Sequence, residues 1–564
     1  MTEFGEGNGQ GSNEMSGTTQ PATAGTLLVD TLVAHGIDRI FCVPGESYLG
    51  LLDALHGRAD IDTVVCRHEA GAGFMALADA RLTGRPGVAC VSRGPGASNA
   101  AIAVHTAQQD GVPFLLLVGQ VAARDLRRDA FQEIDYGRMF GGIAKWTAEV
   151  ADPARLAETL LRAIQVATTG LPGPVVVALP EDVLTAAASA APVRPQAPAR
   201  AAPDTADVEQ LRGWLAASSR PLLLAGSGLE CPGGRAALQA FAEAWTLPVL
   251  VSFRRQDLFD NAHPLYAGDM GLQNPASQMA LLHHADLLLV LGARLSDITT
   301  QGYSFPDPAR LSMRLAHVHA DPAVIGTHFA ADLAIAASPV AVLSALGAPG
   351  RASVDRTEWI ACLGAERHRI AAPRVPEVTD GVPFEAVVDA VARHMPPDAI
   401  LTLDAGSFAA SAYRIIPFAP PQRLLAPISG AMGFGIPAAV AAGLREPGRT
   451  VVCMVGDGGF LMTGYELAVA MERRLPLKII VSVNGIYGSI RIHQERDYPG
   501  RPSGTGFTNP DFSLIGRAFD FPVTHIRTSD DLALLPGLLC SAGGEFIVVE
   551  TSVAAVLPQR ARGD

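Results

Sequence analysis

Asp457 and Asn484 are the two residues of this sequence that most directly suggest chemistry. Asp457 lies in the sequence GDGGF at 456–460, and Asn484 lies in SVNG at 482–485. A carboxylate, a side-chain amide oxygen and a backbone carbonyl are ligands that Mg²⁺ accepts, and water and phosphate complete its coordination. The glycines beside Asp457 would let a diphosphate approach the backbone closely. The two sequences together therefore predict a site for Mg²⁺ and a diphosphate.

The segments around these residues have the pattern of a parallel α/β unit. An apolar run at 451–455 leads into the GDG sequence, a second run at 479–481 leads into Asn484, and residues 465–471 between them have a helical pattern. Buried parallel strands appear as continuous apolar runs. We expect both polar side chains at the carboxyl ends of neighbouring strands, where open α/β sheets bind ligands. Taken alone, GDG could instead mark a tight turn after a strand.

Length and composition describe a multidomain protein. The chain has 564 residues, enough for about three domains of the usual size. No stretch approaches 18 consecutive apolar residues, so we expect no membrane span. The net charge of −13 is spread without basic runs, which argues against nucleic acid as a partner. The seven cysteines lie far apart without a Cys-x-x-Cys pair, which predicts reduced thiols in a cytoplasmic protein.

Changes in composition divide the chain into three parts. The first residues have almost no apolar content and are predicted to form a disordered tail, and two further shifts in composition indicate linkers. Between them, short apolar runs alternate with helical patterns, which predicts an α/β fold with three parallel-sheet domains. The sequence thus divides into a tail at 1–24, domains at 25–185, 208–346 and 382–555, and linkers at 186–207 and 347–381.

Glu69 is the centre of a second group of residues that could do chemistry. The apolar run 63–66 ends just before the sequence RHEAGAGF at 67–74, and the small residues after Glu69 suit the start of a helix. A carboxylate at this place could share a proton with a ring nitrogen of a bound molecule. Alternatively, Glu69 is a carboxylate that the dipole favours at a helix N-terminus.

These features together resemble the thiamine-diphosphate (ThDP) enzymes. GDG followed by Asn matches their cofactor motif, and the string around Glu69 matches the one that carries their catalytic Glu. Three domains in this order, for pyrimidine binding, a central domain and diphosphate binding, resemble the acetolactate synthase branch over about residues 25–555. The resemblance implies ThDP and Mg²⁺ as cofactors, with Asp457, Asn484 and the Ile486 carbonyl as metal ligands. It also implies that Glu69 bonds the aminopyrimidine and assists loss of the thiazolium C2 proton.

The resemblance further implies which residues contact the cofactor. The loop 404–408 would hold the diphosphate, the Gly430 carbonyl would accept from the aminopyrimidine, and Met432 would bend the cofactor; alternatively, Gly430 and Met432 belong to a glycine-rich helix start with a core Met. In these enzymes the Glu of one subunit faces the diphosphate domain of another, so a homodimer at least, or a tetramer, is implied. The expected cofactor-binding residues are Gly406, Ser407, Phe408, Gly430, Met432, Gly456, Asp457, Gly458, Gly459, Asn484, Ile486 and Gly488.

Phe131, Gln132 and Glu46 join Glu69 as candidate catalytic residues on the substrate side. Phe131 and Gln132 match residues that line the thiazolium in this branch, although a buried Phe at a helix start is an equal alternative. Glu46 stands where the branch has a small residue. It would exchange protons or bind a hydroxyl or amino group of the substrate, and it would repel a nearby carboxylate. Its alternative role is to cap the helix that starts near Tyr48.

Two departures from the branch bear on the substrate. Ile298 stands where the branch has an Arg that binds the carboxylate of a second oxoacid, a contact worth roughly 1.5 to 3 kcal/mol. His493 stands where the branch has a Trp that selects the acceptor, and His105 is either a pocket residue or a core histidine. The predicted function is ThDP- and Mg²⁺-dependent decarboxylation of a small 2-oxoacid with acyl transfer to a carbonyl acceptor. The alternatives are a simple decarboxylase and a non-catalytic subunit.

FAD is a further cofactor of the branch that the sequence supports only in part. Gly226-Ser227-Gly228 and Arg294 match two pieces of the flavin site, whereas Ala337-Ser338 replaces an acidic Gly-Asp. The third glycine of the dinucleotide fingerprint is also missing. The sequence leaves FAD binding open, with more of the pattern absent than present.

Overall fold

Three parallel six-stranded sheets make up the fold. The computed structural model describes residues 22–188, 191–307, 313–349 and 354–557. Within these ranges one sheet lies in each of the three predicted domains, and the strand pairings are parallel. The predicted α/β fold class is therefore confirmed. The predicted tail falls outside the described residues up to residue 21, and the first helix begins at Ala24.

The N-terminal domain alternates strands and helices. Its strands are β1 (Arg39–Cys42), β2 (Asp62–Val65), β3 (Gly87–Ser92), β4 (Phe114–Gln120), β5 (Trp146–Glu149) and β6 (Pro174–Pro180). Its helices are α1 (Ala24–Ala34), α2 (Leu49–Leu55), α3 (Glu69–Thr83), α4 (Arg93–Asp110), α5 (Tyr136–Phe140), α6 (Leu156–Thr168) and α7 (Glu181–Thr185). The strand order is β2-β1-β3-β4-β6-β5. Strands β4 and β6 are buried along their whole length, as expected when helices cover both faces of a parallel sheet.

The central domain has a different strand order. Its strands are β7 (Pro221–Ala225), β8 (Val249–Ser252), β9 (Tyr266–Met270), β10 (Leu287–Leu291), β11 (Arg314–Val318) and β12 (Leu333–Ile335). Its helices are α8 (Thr205–Ala217), α9 (Gly234–Trp245), α10 (Ala276–Leu282) and α11 (Pro339–Leu346). The order β12-β11-β10-β7-β8-β9 reverses direction between β10 and β7, as in doubly wound sheets.

A further helix, α12 (Thr357–Ala371), lies inside the range 347–381 that composition marks as a linker. Trp359 and Leu363 of this helix are buried in the core of the central domain, and the Trp359 indole donates to the Pro221 carbonyl at 2.9 Å. The helix is thus packed onto the central domain, because its two apolar residues lie one turn apart on the same face.

The C-terminal domain repeats the strand order of the N-terminal domain. Its strands are β13 (Ile400–Leu403), β14 (Arg423–Leu425), β15 (Val451–Gly456), β16 (Lys478–Val483), β17 (Val523–Ile526) and β18 (Glu545–Glu550). Its helices are α13 (Phe384–His394), α14 (Ala409–Ile415), α15 (Gly435–Arg445), α16 (Asp457–Thr463), α17 (Leu467–Arg473), α18 (Gly488–Asp497), α19 (Phe512–Ala518) and α20 (Leu535–Cys540). The order β14-β13-β15-β16-β18-β17 matches that of the first sheet strand for strand.

The first and third domains share one hydrophobic core. Helix α3 packs on α15, and the rings of Phe74 and Phe434 meet edge to face at 5.6 Å. Buried residues from both domains form one continuous cluster around this contact. Among the described residues, no helix combines the length and the apolar character that crossing a bilayer would need.

Candidate active site

Asp457 and Asn484 meet at the carboxyl edge of the C-terminal sheet. Asp457 is the first residue of α16, directly after β15, and Asn484 directly follows β16. These two strands are adjacent and parallel, with Gly456 opposite Ser482, so both side chains lie at the same edge. The Asp457 carboxylate accepts hydrogen bonds from the backbone nitrogens of Asn484 at 2.8 Å and of Gly485 at 2.7 Å. The structure therefore brings together the two residues that the sequence pairs.

Asn509 is a third polar residue at this point that the sequence analysis missed. Its side-chain nitrogen donates to Asp457 Oδ2 at 2.8 Å, while its Oδ1 is buried and has no hydrogen-bond partner among the described residues. A buried oxygen without a partner, next to a buried carboxylate, fits a hard cation such as Mg²⁺. Asn509 lies in a loop far along the chain from the GDG sequence, so no local pattern pointed to it.

A cavity of about 220 Å³ opens at this edge. All of the residues expected to bind the cofactor line it, and every lining residue comes from the C-terminal domain, between 405 and 490. The small residues keep it open: a Cβ at Gly458 would lie 2.7 Å from the Tyr487 ring, and a Cβ at Gly488 would lie 2.5 Å from the Ser407 hydroxyl. A cavity with backbone N–H groups, Ser407 and a carboxylate beside an orphan amide oxygen fits a diphosphate held through Mg²⁺.

Asp404 fixes the loop that carries Gly430 and Met432. It follows β13, is fully buried, and accepts hydrogen bonds from the backbone nitrogens of Gly433 at 3.0 Å and of Gly435 at 2.9 Å. Burial raises the pKa of Asp404 to about 6. The backbone hydrogen bonds act in the opposite direction, because they favour the ionised carboxylate. Gly430 has φ +70, in the left-handed region that glycine adopts without strain. Asp404 therefore holds the loop at 430–432 in place, and Gly430 and Met432 of this loop line the cavity.

Glu69 lies at the carboxyl edge of the N-terminal sheet, as the first residue of α3. Its Oε2 accepts a hydrogen bond from the Asn99 side chain at 2.9 Å, and the His68 ring caps the helix by accepting from the Ala70 nitrogen. Glu69 does not line the cavity that contains Asp457. Within one chain, the structure therefore places the predicted proton-transfer residue outside the predicted cofactor cavity.

Glu466 connects the Glu69 segment to the C-terminal domain. It is fully buried, and its carboxylate accepts hydrogen bonds from the backbone nitrogens of Arg67 at 3.1 Å and of His68 at 2.9 Å. A Cβ at Gly71 would lie 2.2 Å from Glu466 Oε1, so the glycine makes room for the carboxylate. Burial raises the pKa of Glu466 to about 7. The sequence analysis placed this residue in a helix and assigned it no role.

Arg93 is a cation beside Glu46 that the sequence analysis also missed. Its guanidinium lies 3.6 Å from the Glu46 carboxylate and 2.9 Å from that of Glu181. Its φ of +43 lies in the left-handed region, which is strained for a residue with a side chain. Glu46 itself begins a single 3₁₀ turn, Glu46–Tyr48, and its side chain is 72% exposed. Glu46 is thus a solvent-facing ion-pair partner at the start of that turn.

Phe131 and Gln132 lie beside this ion pair. The Gly94 nitrogen donates to the Gln132 carbonyl at 3.0 Å, which places Gln132 next to Arg93. Phe131 is 75% exposed and lies outside a helix, since α5 begins only at Tyr136. The alternative that Phe131 is a buried residue at a helix start is therefore wrong. An exposed Phe among charged side chains suits a surface that another molecule covers.

The residues at which the sequence departs from the branch have ordinary surroundings. Ile298 is half-buried in the loop after β10, His493 is exposed on α18, and His105 is half-buried on α4. Lys145 is a structural residue, because its ammonium donates to the backbone carbonyls of Thr169 and Leu171 at 2.7 and 2.8 Å. Burial lowers the pKa of this lysine.

The residues that match a flavin site are engaged in contacts within the chain. The Gly226 and Gly228 nitrogens donate to the carbonyls of Leu291 and Gly292, both at 2.9 Å. A Cβ at Gly226 would lie 2.3 Å from the Ala293 backbone, so these two loops are in direct contact. The Arg294 guanidinium donates to backbone carbonyls of α4, that of Gln109 included. The two glycine loops therefore pack directly against each other, whereas Arg294 also lines a separate cavity of about 200 Å³ together with His317 and Phe329.

Comparison with protein families divides the chain as the sheets do. Residues 22–139 match the model described as "Thiamine pyrophosphate enzyme, N-terminal TPP binding domain". Residues 208–346 match its central domain, and residues 404–542 match its C-terminal TPP binding domain. The three matches fall on the three sheets, in the expected order.

Similarity to individual proteins extends over nearly the whole chain. The acetolactate synthase large subunit of Lactococcus lactis subsp. lactis (strain IL1403) is 30% identical over 95% of this chain and 93% of its own length. In Escherichia coli (strain K12), the large subunit of acetolactate synthase isozyme 2 is 30% identical over 92% of this chain and 94% of its own. The large subunit of isozyme 1 is 33% identical over 86% of each. The chain therefore belongs to the thiamine pyrophosphate enzymes, in the acetolactate synthase branch, and is a ThDP-dependent enzyme.

Proposed function

We propose that this enzyme uses ThDP and Mg²⁺ to decarboxylate a small 2-oxoacid and to transfer the acyl unit to a carbonyl acceptor. The observation that carries the proposal is the cavity of about 220 Å³, which is lined by all of the residues expected to bind the cofactor. Asp457, Asn484 and the Ile486 carbonyl would hold Mg²⁺. When bound, ThDP supplies a thiazolium ring that accepts the electron pair left by the departing CO₂.

The role proposed for Glu69 is proton transfer at the aminopyrimidine ring. Its second carboxylate oxygen already accepts a hydrogen bond from Asn99 at 2.9 Å, which orients the group. The first oxygen lies 3.4 Å from the position that a Cβ at Gly96 would take, so this small residue leaves the approach to the carboxylate open. One oxygen is thus anchored, and the other would exchange a proton with a ring nitrogen.

The absence of Glu69 from the cavity that contains Asp457 supports a homodimer as part of this proposal. The cofactor cavity is lined only by C-terminal-domain residues, and Glu69 is absent from it. A second copy of the chain would bring its N-terminal face, with the exposed Phe131 and Glu46, over this cavity. The 75% exposure of Phe131 in the single chain supports burial there against a partner. Two such sites would form in each dimer by symmetry.

Arg93 is the residue we propose for binding the carboxylate of the substrate. Glu46 lies 3.6 Å from its guanidinium, a loose contact, and is largely exposed, so it can move aside when a substrate carboxylate arrives. The firm contact to Glu181 at 2.9 Å holds the guanidinium in place. In the acetolactate synthase branch this cation is an Arg at the position that Ile298 occupies here. Arg93 would replace it from a different part of the chain.

A simple 2-oxoacid decarboxylase is the second candidate. Ile298 favours it, because an apolar side chain cannot bind the carboxylate of a second oxoacid. In that case a proton takes the place of the carbonyl acceptor, and Arg93 would bind the carboxylate of the 2-oxoacid that is decarboxylated.

Product analysis separates the two candidates. Purified protein with ThDP and Mg²⁺ would be given a panel of 2-oxoacids, alone and with aldehydes, and CO₂ release and products would be followed by mass spectrometry. The proposal expects a new carbon–carbon product together with CO₂. Aldehyde as the sole product would establish the decarboxylase instead, and no CO₂ from any oxoacid would contradict both.

A further inference from the structure

A second cavity, of about 290 Å³, lies between the central domain and the C-terminal domain. The segment after β8, the strand β9, helix α12 and helix α14 all contribute to its wall. It shares only Gly406 with the cavity proposed for the cofactor. Apart from Gly406, the residues that line it have no part in the proposed reaction.

Three guanidinium groups line this cavity, from Arg254, Arg367 and Arg414. Arg254 is 4% exposed and has no carboxylate within 4 Å among the described residues, and its side chain donates to the Pro427 carbonyl. By contrast, the fully buried Arg255 beside it pairs with Glu230 at 2.8 Å. The Arg254 guanidinium instead lies over the rings of Phe253 at 4.7 Å and Tyr413 at 5.2 Å. Buried guanidinium groups are usually paired with an acid, so the charge of Arg254 is left without a neutralising carboxylate.

The other two cations are also weakly neutralised. Arg367 lies over the Tyr266 ring at 5.2 Å, and Arg414 has its nearest carboxylate, that of Glu385, at 3.9 Å. Arg414 is 47% exposed, so the cavity can be reached from solvent on that side. The acid within the cavity is Asp269, whose pKa burial raises to about 7. Near neutral pH the lining therefore carries a net positive charge.

Polar atoms without partners point to the same place. Arg254 Nε and the Tyr413 hydroxyl are buried and lack a hydrogen-bond partner among the described residues. Gln256 donates to Asp269 at 3.1 Å, yet its own Oε1 is unpartnered. Buried polar groups are normally satisfied, and the two of these that line the cavity, Arg254 Nε and the Tyr413 hydroxyl, are available to donate to an anion.

We propose that this cavity binds a small organic anion that carries a carboxylate or phosphate group. Arg254 would bind the anionic group at the buried end, with Arg367 and Arg414 closing around it, and the Tyr413 hydroxyl would donate to it. The volume of about 290 Å³ suits a molecule of metabolite size. Because Gly406 lines both cavities, an anion here would also restrain the loop beside the cofactor.

Calorimetric titration tests the proposal. Malonate and inorganic phosphate would each be titrated into the full-length protein saturated with ThDP and Mg²⁺, so that the cofactor cavity cannot take up the probe. Arg367→Gln and Arg414→Gln should each weaken binding about tenfold or more, since each loses a charge-assisted contact. Arg254→Gln risks misfolding because the residue is buried, and these two variants avoid that risk.

Arg369→Gln is the matched control. Arg369 lies on the same helix, α12, but is paired with Glu366 and does not line the cavity, so its replacement should leave the affinity unchanged. Equal affinities in wild type and in the Arg367 and Arg414 variants would overturn the proposal, as would no binding of either probe at millimolar concentration. Flavin absorbance in the purified protein that disappears in these variants would overturn it too, because a flavin would then fill the cavity.

Asp269→Asn tests the charge of the cavity. Gln256 donates to Asp269, and the titratable and charged residues that line the cavity with Asp269 are Tyr266, on the same strand, and Arg254, Arg367 and Arg414, on other segments. The three arginines stay charged throughout. In the wild type, anion affinity should fall as the pH rises through about 7, because Asp269 then ionises and repels the ligand. The Asn variant should lose this pH dependence. If its anion affinity still fell as the pH rises through about 7, ionisation of Asp269 would not be the cause.

Discussion

The carboxylate of Glu466 lies 2.9 Å from the backbone nitrogen of His68 and accepts its hydrogen bond. His68 directly precedes Glu69, so a residue of the C-terminal domain holds the segment that carries the proposed proton-transfer group. Glu466 also follows Asp457 within the same strand–turn–helix unit. The same segment of the C-terminal domain therefore carries Asp457, the proposed metal ligand, and Glu466, which supports the backbone beside Glu69. In the proposed dimer, Asp457 and Glu69 of one chain belong to two different active sites.

Glu466→Gln should change how stability depends on pH. In the folded protein the pKa of Glu466 is about 7, above its value in the unfolded chain. The contribution of such a group is full at low pH and is lost as the pH rises toward 7, because ionisation in the buried site is costly. Unfolding followed by denaturant titration at several pH values should show a smaller loss of stability over this range in the variant. An identical slope would contradict the shifted pKa.

The same variant should slow exchange of the thiazolium C2 proton without abolishing ThDP binding. A Gln accepts fewer hydrogen bonds from the 67–68 backbone, so Glu69 loses part of its support. Nuclear magnetic resonance of the exchange rate measures this. Glu472→Gln is the control, because Glu472 is paired on the surface with the Arg67 side chain at 3.1 Å and not with the 67–68 backbone. Equal exchange in both variants would remove the positioning role of Glu466.

Two inactive variants should restore activity when they are combined in one dimer. Glu69→Gln should bind ThDP but lose C2 exchange, and Asp457→Ala should lose Mg²⁺-dependent ThDP binding. In a mixed dimer, the intact Glu69 of one chain would face the intact Asp457 of the other. Random reassembly of equal amounts should yield about a quarter of the wild-type activity, since half of the dimers are mixed and each has one intact site. No recovery would contradict a site shared between subunits.

Asn509→Ala should weaken Mg²⁺ binding about 10- to 100-fold, because the variant loses the oxygen next to Asp457 and the hydrogen bond that orients this carboxylate. Titration of Mg²⁺ at fixed ThDP, read by protein fluorescence, measures the effect. Asn509→Asp keeps an oxygen at the same place and should retain Mg²⁺ binding. Unchanged affinity in the Ala variant would exclude Asn509 from the metal site.

Arg93→Gln should raise the KM for a 2-oxoacid about 10- to 100-fold with a smaller change in kcat, because a charge-assisted contact to the substrate carboxylate is lost. Glu46→Gln should have the opposite effect on KM, since it removes a competing carboxylate from the same guanidinium. Arg124→Gln is the control, as this side chain is 81% exposed and is paired with its neighbour Asp125. A KM that is unchanged by both Arg93→Gln and Glu46→Gln would contradict the proposal.

Local patterns predicted much of the fold and part of the candidate site. The strands before Asp457 and Asn484 could be predicted because buried parallel strands are apolar throughout. Each of the two polar residues directly follows such an apolar run. The helix α12 was missed because its range looked like a linker in composition, although Trp359 and Leu363 lie one turn apart. The alternative of a buried Phe131 failed because residue type alone does not distinguish an apolar residue that is exposed on the surface from one in a core.

The sequence by itself determined the α/β class, because the apolar runs and helical patterns that define it are local. The residues that line the proposed cofactor cavity were expected from the resemblance to the ThDP enzymes. Only the tertiary structure decided which distant residues complete them. Glu466 reaches His68, Asn509 reaches Asp457, and Arg93 reaches Glu46, all through packing of separate loops and helices. Such pairs leave no periodic or local signal, since the distance between them is set by the sheets and not by their spacing in the chain.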